Sequence, residues 1–243
     1  MKVRSYDTSQ FEKDLEILGI SLTERQISQF VRYYEILIEW NSFMNLTGIT
    51  EYEEVMKKHF IDSLTLIKVF NTSKCCTVLD VGTGAGFPGL ALKIAFPDLN
   101  MTLLDSLNKR IRFLDTVIED LGLQGVHTVH GRAEDHARLG QYRESFDLCV
   151  SRAVANLASL SEYCLPFVKV GGYFVSYKSE KSDEELADSE NAITMLGGKI
   201  SKTEKFMLPD SNIFRNLICV EKIKHTLREY PRKAGIPTKE PLK

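Results

Sequence analysis

The sequence predicts an α/β fold, in which helices cover both faces of a mostly parallel, seven-stranded sheet and a helical extension precedes that sheet. From about residue 76, short apolar runs alternate with amphipathic segments, which is typical of parallel sheets with crossover helices. Residues 1–75 instead carry apolar side chains at helical spacing. The apolar run Thr77–Val81 then passes directly into a glycine-rich turn and a helix start, the arrangement that organises the rest of the chain.

Composition narrows the classes of protein to be considered. The chain has 243 residues, 43% hydrophobic and 26% charged, and its formal net charge of −2 argues against wholesale coating of nucleic acid but allows a local basic patch. The 5 cysteines are an odd number without framework spacing, which indicates reduced thiols, and the adjacent Cys75 and Cys76 lack the spacing of a metal site. We see no signal peptide and no apolar run of about 18 residues, so we expect a cytoplasmic protein without a metal and without a membrane partner.

The first 75 residues predict a series of helices. Phe11, Leu15 and Leu18 share one helix face, and Gly19 closes that helix. A capping box at residues 23–26 opens the next helix. We therefore divide the chain into an N-terminal helical extension over residues 1–75, a domain over 76–224 and a basic C-terminal tail over 225–243. The tail is either a flexible arm that contacts phosphate or an ordinary frayed terminus.

The glycine-rich turn indicates the ligand. Gly82, Gly84 and Gly86 remove side chains where the backbone turns sharply and lies close to a ligand. A dinucleotide fingerprint would place its third glycine at the position of Phe87. Asp80 stands two residues before the first glycine, and the pattern D-x-G-x-G-x-G resembles the nucleotide loop of class I S-adenosylmethionine (AdoMet) methyltransferases. A nearby carboxylate suits the cationic sulfonium of AdoMet.

Two later strand ends add candidate ligand contacts. Asp105 ends a strand about twenty residues beyond the turn, an offset that suits a carboxylate accepting from ribose hydroxyls. Asp105 could also cap the helix that begins near Leu107, and both roles could coexist. Arg152 follows the fourth strand, and because an unpaired buried arginine is costly we expect it to meet a carboxylate, a phosphate or a base edge.

Three cations open the helix after Asp105, against the dipole preference for acids at that end. They are Lys109, Arg110 and Arg112. A solvated helix face is the ordinary explanation of such a run. The alternative is a set of phosphate contacts at the rim of the ligand site.

Several runs together resemble one family closely, the RsmG (GidB) family of bacterial 16S rRNA (guanine-N7) methyltransferases. The runs are Asn45-Leu46-Thr47, His59 with Asp62-Ser63-Leu64, residues 80–89, Leu104-Asp105-Ser106, Ser151-Arg152-Ala153 and the tail Pro231-Arg232-Lys233-Ala234-Gly235. Many methyltransferases share the glycine motif, whereas the N-terminal and Ser-Arg-Ala runs are far more specific.

The resemblance implies a Rossmann-like class I fold, AdoMet as cofactor, and a substrate guanine of the small-subunit RNA near the decoding centre. Together with the loop pattern it assigns cofactor binding to Asp80, Gly82, Gly84, Gly86, Phe87, Asp105, Ser106, Ala133, Glu134 and Arg152. The family's basic positions, which we expect to bind RNA, correspond to Lys109, Arg110, Arg132, Arg152 and Lys178. The implied partner is 16S ribosomal RNA or the small ribosomal subunit.

We expect in-line transfer of the methyl group to guanine N7. That nitrogen carries a lone pair and no proton, so attack needs no general base, and we assign positioning of the base to Arg152, Asn45 and His59. Three other hypotheses stay open at this point. They are a methyltransferase for a small molecule or protein, a nicotinamide oxidoreductase, and a non-catalytic module that kept the fold.

Overall fold

A seven-stranded sheet lies at the centre of the computed structural model, which describes residues 6–74, 77–152, 154–179 and 182–243. Its strands are β1 Thr77–Val81, β2 Asn100–Asp105, β3 Val126–His130, β4 Phe146–Arg152, β5 Val168–Lys178, β6 Gly198–Met207 and β7 Phe214–Lys222. They lie in the order β3-β2-β1-β4-β5-β7-β6. The predicted α/β class with seven mostly parallel strands is confirmed. The predictions that concern Cys75, Cys76 and Ala153 lie outside the described residues.

The pairing of the strands places the ligand crevice. β1 pairs in parallel with β2 on one side and β4 on the other, with Asp80 opposite Leu103 and Val150. β3 and β5 continue the parallel sheet outward, and β7 then runs antiparallel between β5 and β6. The strand order reverses at β1, so the carboxyl ends of β1 and β4 border the crevice where open α/β sheets bind their ligands.

Helices and helical turns connect the strands and form the extension. In the extension they are α1 Ser9–Leu18, α2 Glu24–Met44, α3 Tyr52–Val55, a π-helical segment Met56–Ile61, α4 Asp62–Leu64, and 3₁₀ turns at Thr65–Lys68 and Thr72–Lys74. After β1 they are α5 Gly89–Ala95, α6 Asn108–Asp120, α7 Ala133–His136, α8 Leu157–Cys164, a 3₁₀ turn Leu165–Phe167, α9 Ser182–Met195 and α10 Ile236–Lys239. Within the described ranges, no helix combines the length and the apolar character needed to cross a membrane.

The predicted end of the first helix and the predicted capping box of the second are both confirmed. Gly19 ends α1 with φ 72°. At the start of α2, the Gln26 side chain accepts from the Thr23 amide at 2.9 Å, and the Thr23 hydroxyl accepts from the Gln26 amide at 3.3 Å. The π-helical segment was not predicted, because apolar spacing of 3.6 residues carries no sign of it. It contains His59 and directly precedes Asp62, and both side chains belong to the site described below.

The extension shares its hydrophobic core with the sheet. Tyr33 and Phe60 are fully buried in the same cluster as Val78 of β1. The ring of Tyr33 stacks on that of Phe87 in the glycine turn, with 5.4 Å between centroids. Leu79, the next residue of β1, faces a second cluster, as the alternation of side chains along a strand requires. The division of the chain at residue 75 therefore stays a prediction about organisation, since the extension does not pack around a core of its own.

The C-terminal tail packs against helices that cover the sheet, and it neither extends as an arm nor frays. The guanidinium of Arg232 lies 2.7 Å from the fully buried carboxylate of Glu162 on α8. Arg143 donates to the carbonyl oxygens of Thr226 and Tyr230 at 2.7 and 2.9 Å. Contacts of both backbone and side chains thus hold residues 226–232 in place.

Candidate active site

The glycine turn is held against β2 by backbone and carboxylate hydrogen bonds. The Gly82 amide donates to the carbonyl of Leu104 at 2.8 Å, and the Gly84 amide donates to Asp105 Oδ2 at 2.9 Å. Gly82, Gly84 and Gly86 have φ values of 69°, 61° and 88°, which side chains rarely adopt. A Cβ at Gly84 would approach only the carbonyl oxygen of Gly82, 4.0 Å away, so the backbone is open to a ligand there.

Asp80 lies wholly buried beneath this turn. Its Oδ2 accepts from the Thr83 hydroxyl at 2.7 Å and from the Gly89 amide at 2.8 Å, which ties the end of β1 to the start of α5. Its Oδ1 has no hydrogen-bond partner among the described residues. Burial raises the pKa of Asp80 to about 6, because the charged carboxylate loses its hydration.

Asp105 is also engaged by the chain itself. It is 2% exposed, its Oδ1 accepts from the Leu107 amide at 2.9 Å, and its Oδ2 accepts from Gly84 and from Arg110 at 2.9 and 3.1 Å. A carboxylate offers about four acceptor positions, so roughly one remains for a ligand hydroxyl. Asp105 therefore binds the amide of Leu107, just before α6, rather than capping an amide inside that helix, and it can still accept from a ligand hydroxyl.

The turn disfavours a pyrophosphate. Two of its amides, those of Gly84 and Gly89, already donate to the carboxylates of Asp105 and Asp80. A dinucleotide would need such amides at the helix start and would meet two negative charges there. The same charges suit a cationic ligand. The oxidoreductase hypothesis therefore finds no support in the geometry of the turn.

Arg152 ends β4 between the turn and a second cleft. Its Nη1 lies 2.9 Å from Asp62 Oδ2, its Nη2 lies 3.3 Å from His59 Nδ1, and its guanidinium carbon lies 5.2 Å from the centroid of the Phe87 ring. Asp62 is 3% exposed, and its Oδ1 accepts from Arg215 Nε at 2.9 Å. One buried carboxylate thus neutralises two guanidinium groups only in part, so one positive charge remains to face a ligand.

His59 supports Arg152 as a neutral ring. It stacks on Phe87 with 4.6 Å between centroids, and its Nε2 lies 2.8 Å from Thr47 Oγ1. Burial, and then the charge of Arg152, lower the pKa of His59 to about 3. Since Nδ1 accepts from Arg152, we assign the proton to Nε2, where it is donated to Thr47. His59 therefore cannot gain or lose a proton for catalysis near neutral pH.

The cleft beside Arg152 has a volume of about 500 Å³ and opens at the carboxyl ends of β4 and β5. Four cationic side chains and two carboxylates line it, namely Lys58, Arg152, Lys178, Arg215, Asp62 and Glu185. The Lys178 ammonium pairs with Glu185 at 2.8 Å. A cleft of this charge suits an anionic, hydrogen-bonding substrate better than an apolar one.

Comparison with known proteins decides the family. The model of the GidB family, described as rRNA small subunit methyltransferase G, matches residues 26–214. The chain belongs to the GidB family. Its predicted class, an AdoMet-dependent methyltransferase of ribosomal RNA, is thereby confirmed.

Relatives in this family extend over nearly the whole chain. The ribosomal RNA small subunit methyltransferase G of Lachnoclostridium phytofermentans is 57% identical over 236 residues, which cover 97% of this chain and 98% of the relative. The protein of the same name from an Exiguobacterium species is 53% identical over 234 residues, covering 96% of this chain and 98% of the relative.

Solved structures share the fold at much lower identity. The methyltransferase bound to the Trm112 activator of Haloferax volcanii superposes with a TM-score of 0.56 at 14% identity, over 72% of this chain and 94% of that one. The apo form of the S-adenosylmethionine-dependent methyltransferase SibL superposes with a TM-score of 0.53 at 16% identity, over 67% of this chain and 55% of that one. These likenesses confirm the Rossmann-like fold.

The residues around the turn fit the cofactor of the GidB family. The backbone is open beside Gly84, Asp105 keeps an acceptor position, and beneath the turn Asp80 places a carboxylate oxygen that no described residue contacts by a hydrogen bond. Phe87 is nearly buried and lies between His59 and Tyr33. A cationic ligand that carries a ribose is compatible with each of these groups.

The remaining predicted cofactor residues lie at the β2 and β3 ends. Ser106 is exposed, and its carbonyl oxygen lies 3.2 Å from His130 Nε2. Ala133 and Glu134 open α7, where Glu134 is 5% exposed and accepts from the Gly235 amide at 2.9 Å. Their predicted contacts with AdoMet stay predictions.

The predicted RNA-binding cations fall into two groups. Lys109 and Arg132 are exposed. Arg110 and Lys178 instead form ion pairs with Asp105 and Glu185 at 3.1 and 2.8 Å. Any phosphate that binds the second group must compete with a carboxylate of the chain.

Asn45 is placed differently from the other residues predicted to hold the base. It is exposed at the end of α2, with φ 50°, and the neighbouring Met44 carbonyl accepts from Lys109 at 3.4 Å. Two positions later, the Thr47 hydroxyl contacts the ring of His59. The role of Asn45 stays a prediction.

Sequence reasoning assigned no role to Asp62 or Arg215, although both belong to the site. Asp62 stood within a run that resembles the family, so its proximity to His59 was a usable signal. Arg215 is the second residue of β7, 153 positions from its partner Asp62, and no local pattern marks it.

Proposed function

We propose that this protein methylates N7 of a guanine in 16S ribosomal RNA, near the decoding centre, with AdoMet as methyl donor. The observation that carries the proposal is the position of Arg152, which lies between the glycine turn and the cationic cleft. A nucleobase that enters this cleft reaches the crevice at the carboxyl ends of β1 and β4, where the fold binds its cofactor.

Residues on both sides of the crevice would hold AdoMet. We assign the contacts to Gly82, Phe87, Asp105, Ser106, Ala133, Glu134 and Arg152. When bound, AdoMet supplies an electrophilic methyl group. The chain supplies the open backbone beside Gly84 and the buried charge of Asp80 beneath the turn.

Guanine N7 suits this site because it has no proton to remove. His59 is neutral at physiological pH, and the Asp62 carboxylate is engaged by two arginines. The chain therefore provides orientation rather than a base, and orientation can supply about 7–11 kcal/mol in well-aligned reactions. Arg152 is our candidate donor to the O6 edge of the base, since arginine is the usual partner of that edge.

Phosphate contacts would position the RNA around the cleft. Lys109 and Arg132 are exposed, so each can reach the phosphate backbone of a nucleic acid, Lys109 by exchanging its 3.4 Å contact with the Met44 carbonyl. Arg110 and Lys178 would also bind phosphate if it replaced their present partners, Asp105 for Arg110 and Glu185 for Lys178. We infer that the protein acts in the cytoplasm, where its ribosomal substrate is found.

The methyltransferase hypothesis for small apolar substrates has less support. Four of the side chains around the cleft are cations, whereas a small-molecule pocket is mostly apolar and largely closed. A protein or peptide substrate would need to be acidic to enter it.

The decisive experiment is a map of the methylated nucleotide. The protein is incubated with labelled AdoMet and with small-subunit RNA that lacks its modifications, both free and assembled. We expect label at one guanine, with strand cleavage there after the chemistry that reveals N7-methylguanine. Label at a different atom or nucleotide, or RNA binding without a methylated product, would contradict the proposal.

A further inference from the structure

The tail contains a contact with a residue of the proposed cofactor site. Glu134 is the second residue of α7 and is 5% exposed, and its Oε1 accepts from the backbone amide of Gly235 at 2.9 Å. A carboxylate so little exposed needs hydrogen-bond donors from the protein. Its donor here, the Gly235 amide, lies 101 positions further along the chain. Gly235 has φ 85°, a conformation that favours glycine, so the direction of its amide depends on this residue type.

A buried ion pair fixes the tail just before this glycine. Glu162 on α8 is fully buried and accepts from Arg232 Nε at 3.0 Å, from Arg232 Nη2 at 2.7 Å and from the backbone amide of Arg232 at 2.7 Å. A buried carboxylate is costly without such a partner, and a forked guanidinium also fixes the direction of approach. Only two residues therefore separate a rigid anchor at Arg232 from the Gly235 amide that holds Glu134.

Further contacts hold the segment after Gly235. The buried hydroxyl of Ser159 donates to the Pro237 carbonyl at 2.6 Å, and the hydroxyls of Tyr163 and Thr238 are in contact. Both Ser159 and Tyr163 belong to α8, the helix that carries Glu162. The tail is thus anchored to one helix on either side of Gly235.

We propose that residues 226–238 form a strap that positions Glu134 for AdoMet, with the Arg232–Glu162 pair as its clamp and the Gly235 amide as its point of action. The inference rests on the proposed function, because it takes Glu134 as part of the AdoMet site. Arg232 and Gly235 are positioning residues, since they act through Glu134 and do not touch the cofactor. AdoMet affinity then depends on a tail whose basic composition suggested RNA binding.

The test measures AdoMet binding by calorimetry in the absence of RNA, for the full chain and for Arg232→Ala, Gly235→Ala and Lys233→Ala variants. Lys233 is the matched control, because it is an exposed cation of the same segment. We expect Arg232→Ala and Gly235→Ala to weaken AdoMet binding about ten-fold, the scale of one lost hydrogen bond to a charged group, and Lys233→Ala to leave it unchanged. Turnover at saturating AdoMet and the affinity for RNA should change less than AdoMet affinity does.

Gly235→Ala retains the ion pair, so it tests the strap even if Arg232→Ala does not fold, and melting temperature reports folding in each case. Equal AdoMet affinity in the wild-type chain and in Gly235→Ala would overturn the strap while leaving the proposed function intact. Weaker RNA binding by both Arg232→Ala and Lys233→Ala at unchanged AdoMet affinity would also overturn it, in favour of an RNA-contacting tail. Failure of the wild-type chain to bind AdoMet would overturn both the strap and the proposed function.

Discussion

The carboxylate of Asp62 holds the guanidinium of Arg152 at 2.9 Å, and this contact joins the helical extension to the end of β4. The two residues are 90 positions apart. Asp62 follows the π-helical segment, whereas Arg152 ends a strand beside the crevice of the sheet. The extension therefore supplies part of the active site as well as part of the core.

Removal of the Asp62 charge should impair both folding and methyl transfer. We expect Asp62→Asn to lower the free energy of unfolding by about 3 kcal/mol, because two arginines lose their shared partner. The single-turnover rate should fall roughly 10–100-fold as Arg152 loses its orientation. Glu54→Gln is the control, since Glu54 is exposed and forms its ion pair with Lys58 rather than with Arg152 or Arg215. Urea unfolding and rapid-quench rates check the prediction, and a rate equal to wild type would contradict it.

Arg215 should matter more for the RNA step than for the cofactor. Arg215→Met removes the second guanidinium on Asp62, so Arg152 pairs more closely with that carboxylate and offers less charge to the base. We expect kcat/KM for RNA to fall roughly ten-fold and AdoMet affinity to fall less than that. Lys199→Met removes an exposed cation of the neighbouring strand and should have no effect. If kcat/KM for RNA fell equally in Arg215→Met and Lys199→Met, the loss would be due to net charge alone, and the prediction would be wrong.

Salt dependence distinguishes phosphate contacts from base contacts. We expect Lys109→Ala and Arg132→Ala each to weaken RNA binding and to reduce the slope of log affinity against log salt by about 0.7–1. Arg152 lies in the site, so its substitution should reduce methyl transfer at every salt concentration. Filter binding between low and moderate salt provides the measurement. Unchanged slopes in both alanine variants would show that these cations do not meet phosphate.

The pKa of His59 predicts a flat activity profile. Burial and Arg152 lower that pKa from 6.5 to about 3, so the folded protein keeps His59 neutral throughout the range from pH 5 to 8. We expect single-turnover methyl transfer at saturating substrates to be independent of pH from about 7 to 8, above the pKa of both His59 and Asp80. A steep change of that rate between pH 7 and 8 would contradict a reaction without a general base.

Asp80 should give stability a dependence on pH that is unusual for a carboxylate. Its pKa is raised from 3.8 to about 6 in the folded state, so between these values the folded chain binds more protons than the unfolded chain. The contribution of Asp80 to stability therefore falls as pH rises through that window, by roughly 3 kcal/mol in total. Asp80→Asn should remove this fall. His59 has the opposite effect: because its pKa is lower in the folded chain, its contribution to the stability of the wild-type chain falls as pH falls. Denaturant titrations at several pH values, on Asp80→Asn and on His59→Gln, separate the two contributions.

The sequence by itself determined the elements whose causes are local. The order of strands and helices follows from periodicity, the glycine turn from residues that tolerate positive φ, and the cap of α2 from Thr23 and Gln26. The ends of β1, β2 and β4 were predictable as a site for the same reason, because parallel strands bring their carboxyl ends to one edge. Asp80, Asp105 and Arg152 could therefore be singled out without a structure.

Only the tertiary structure decided which side chains meet across the sheet. Arg215 reaches Asp62, His59 stacks on Phe87, and the Gly235 amide reaches Glu134, each across a long separation in sequence. It also showed that Asp105 and Lys178 already have partners, and that the basic tail lies folded on α8. Such contacts depend on the packing of whole elements, and hydrophobic spacing specifies which face of an element is buried but not which distant polar group it will meet.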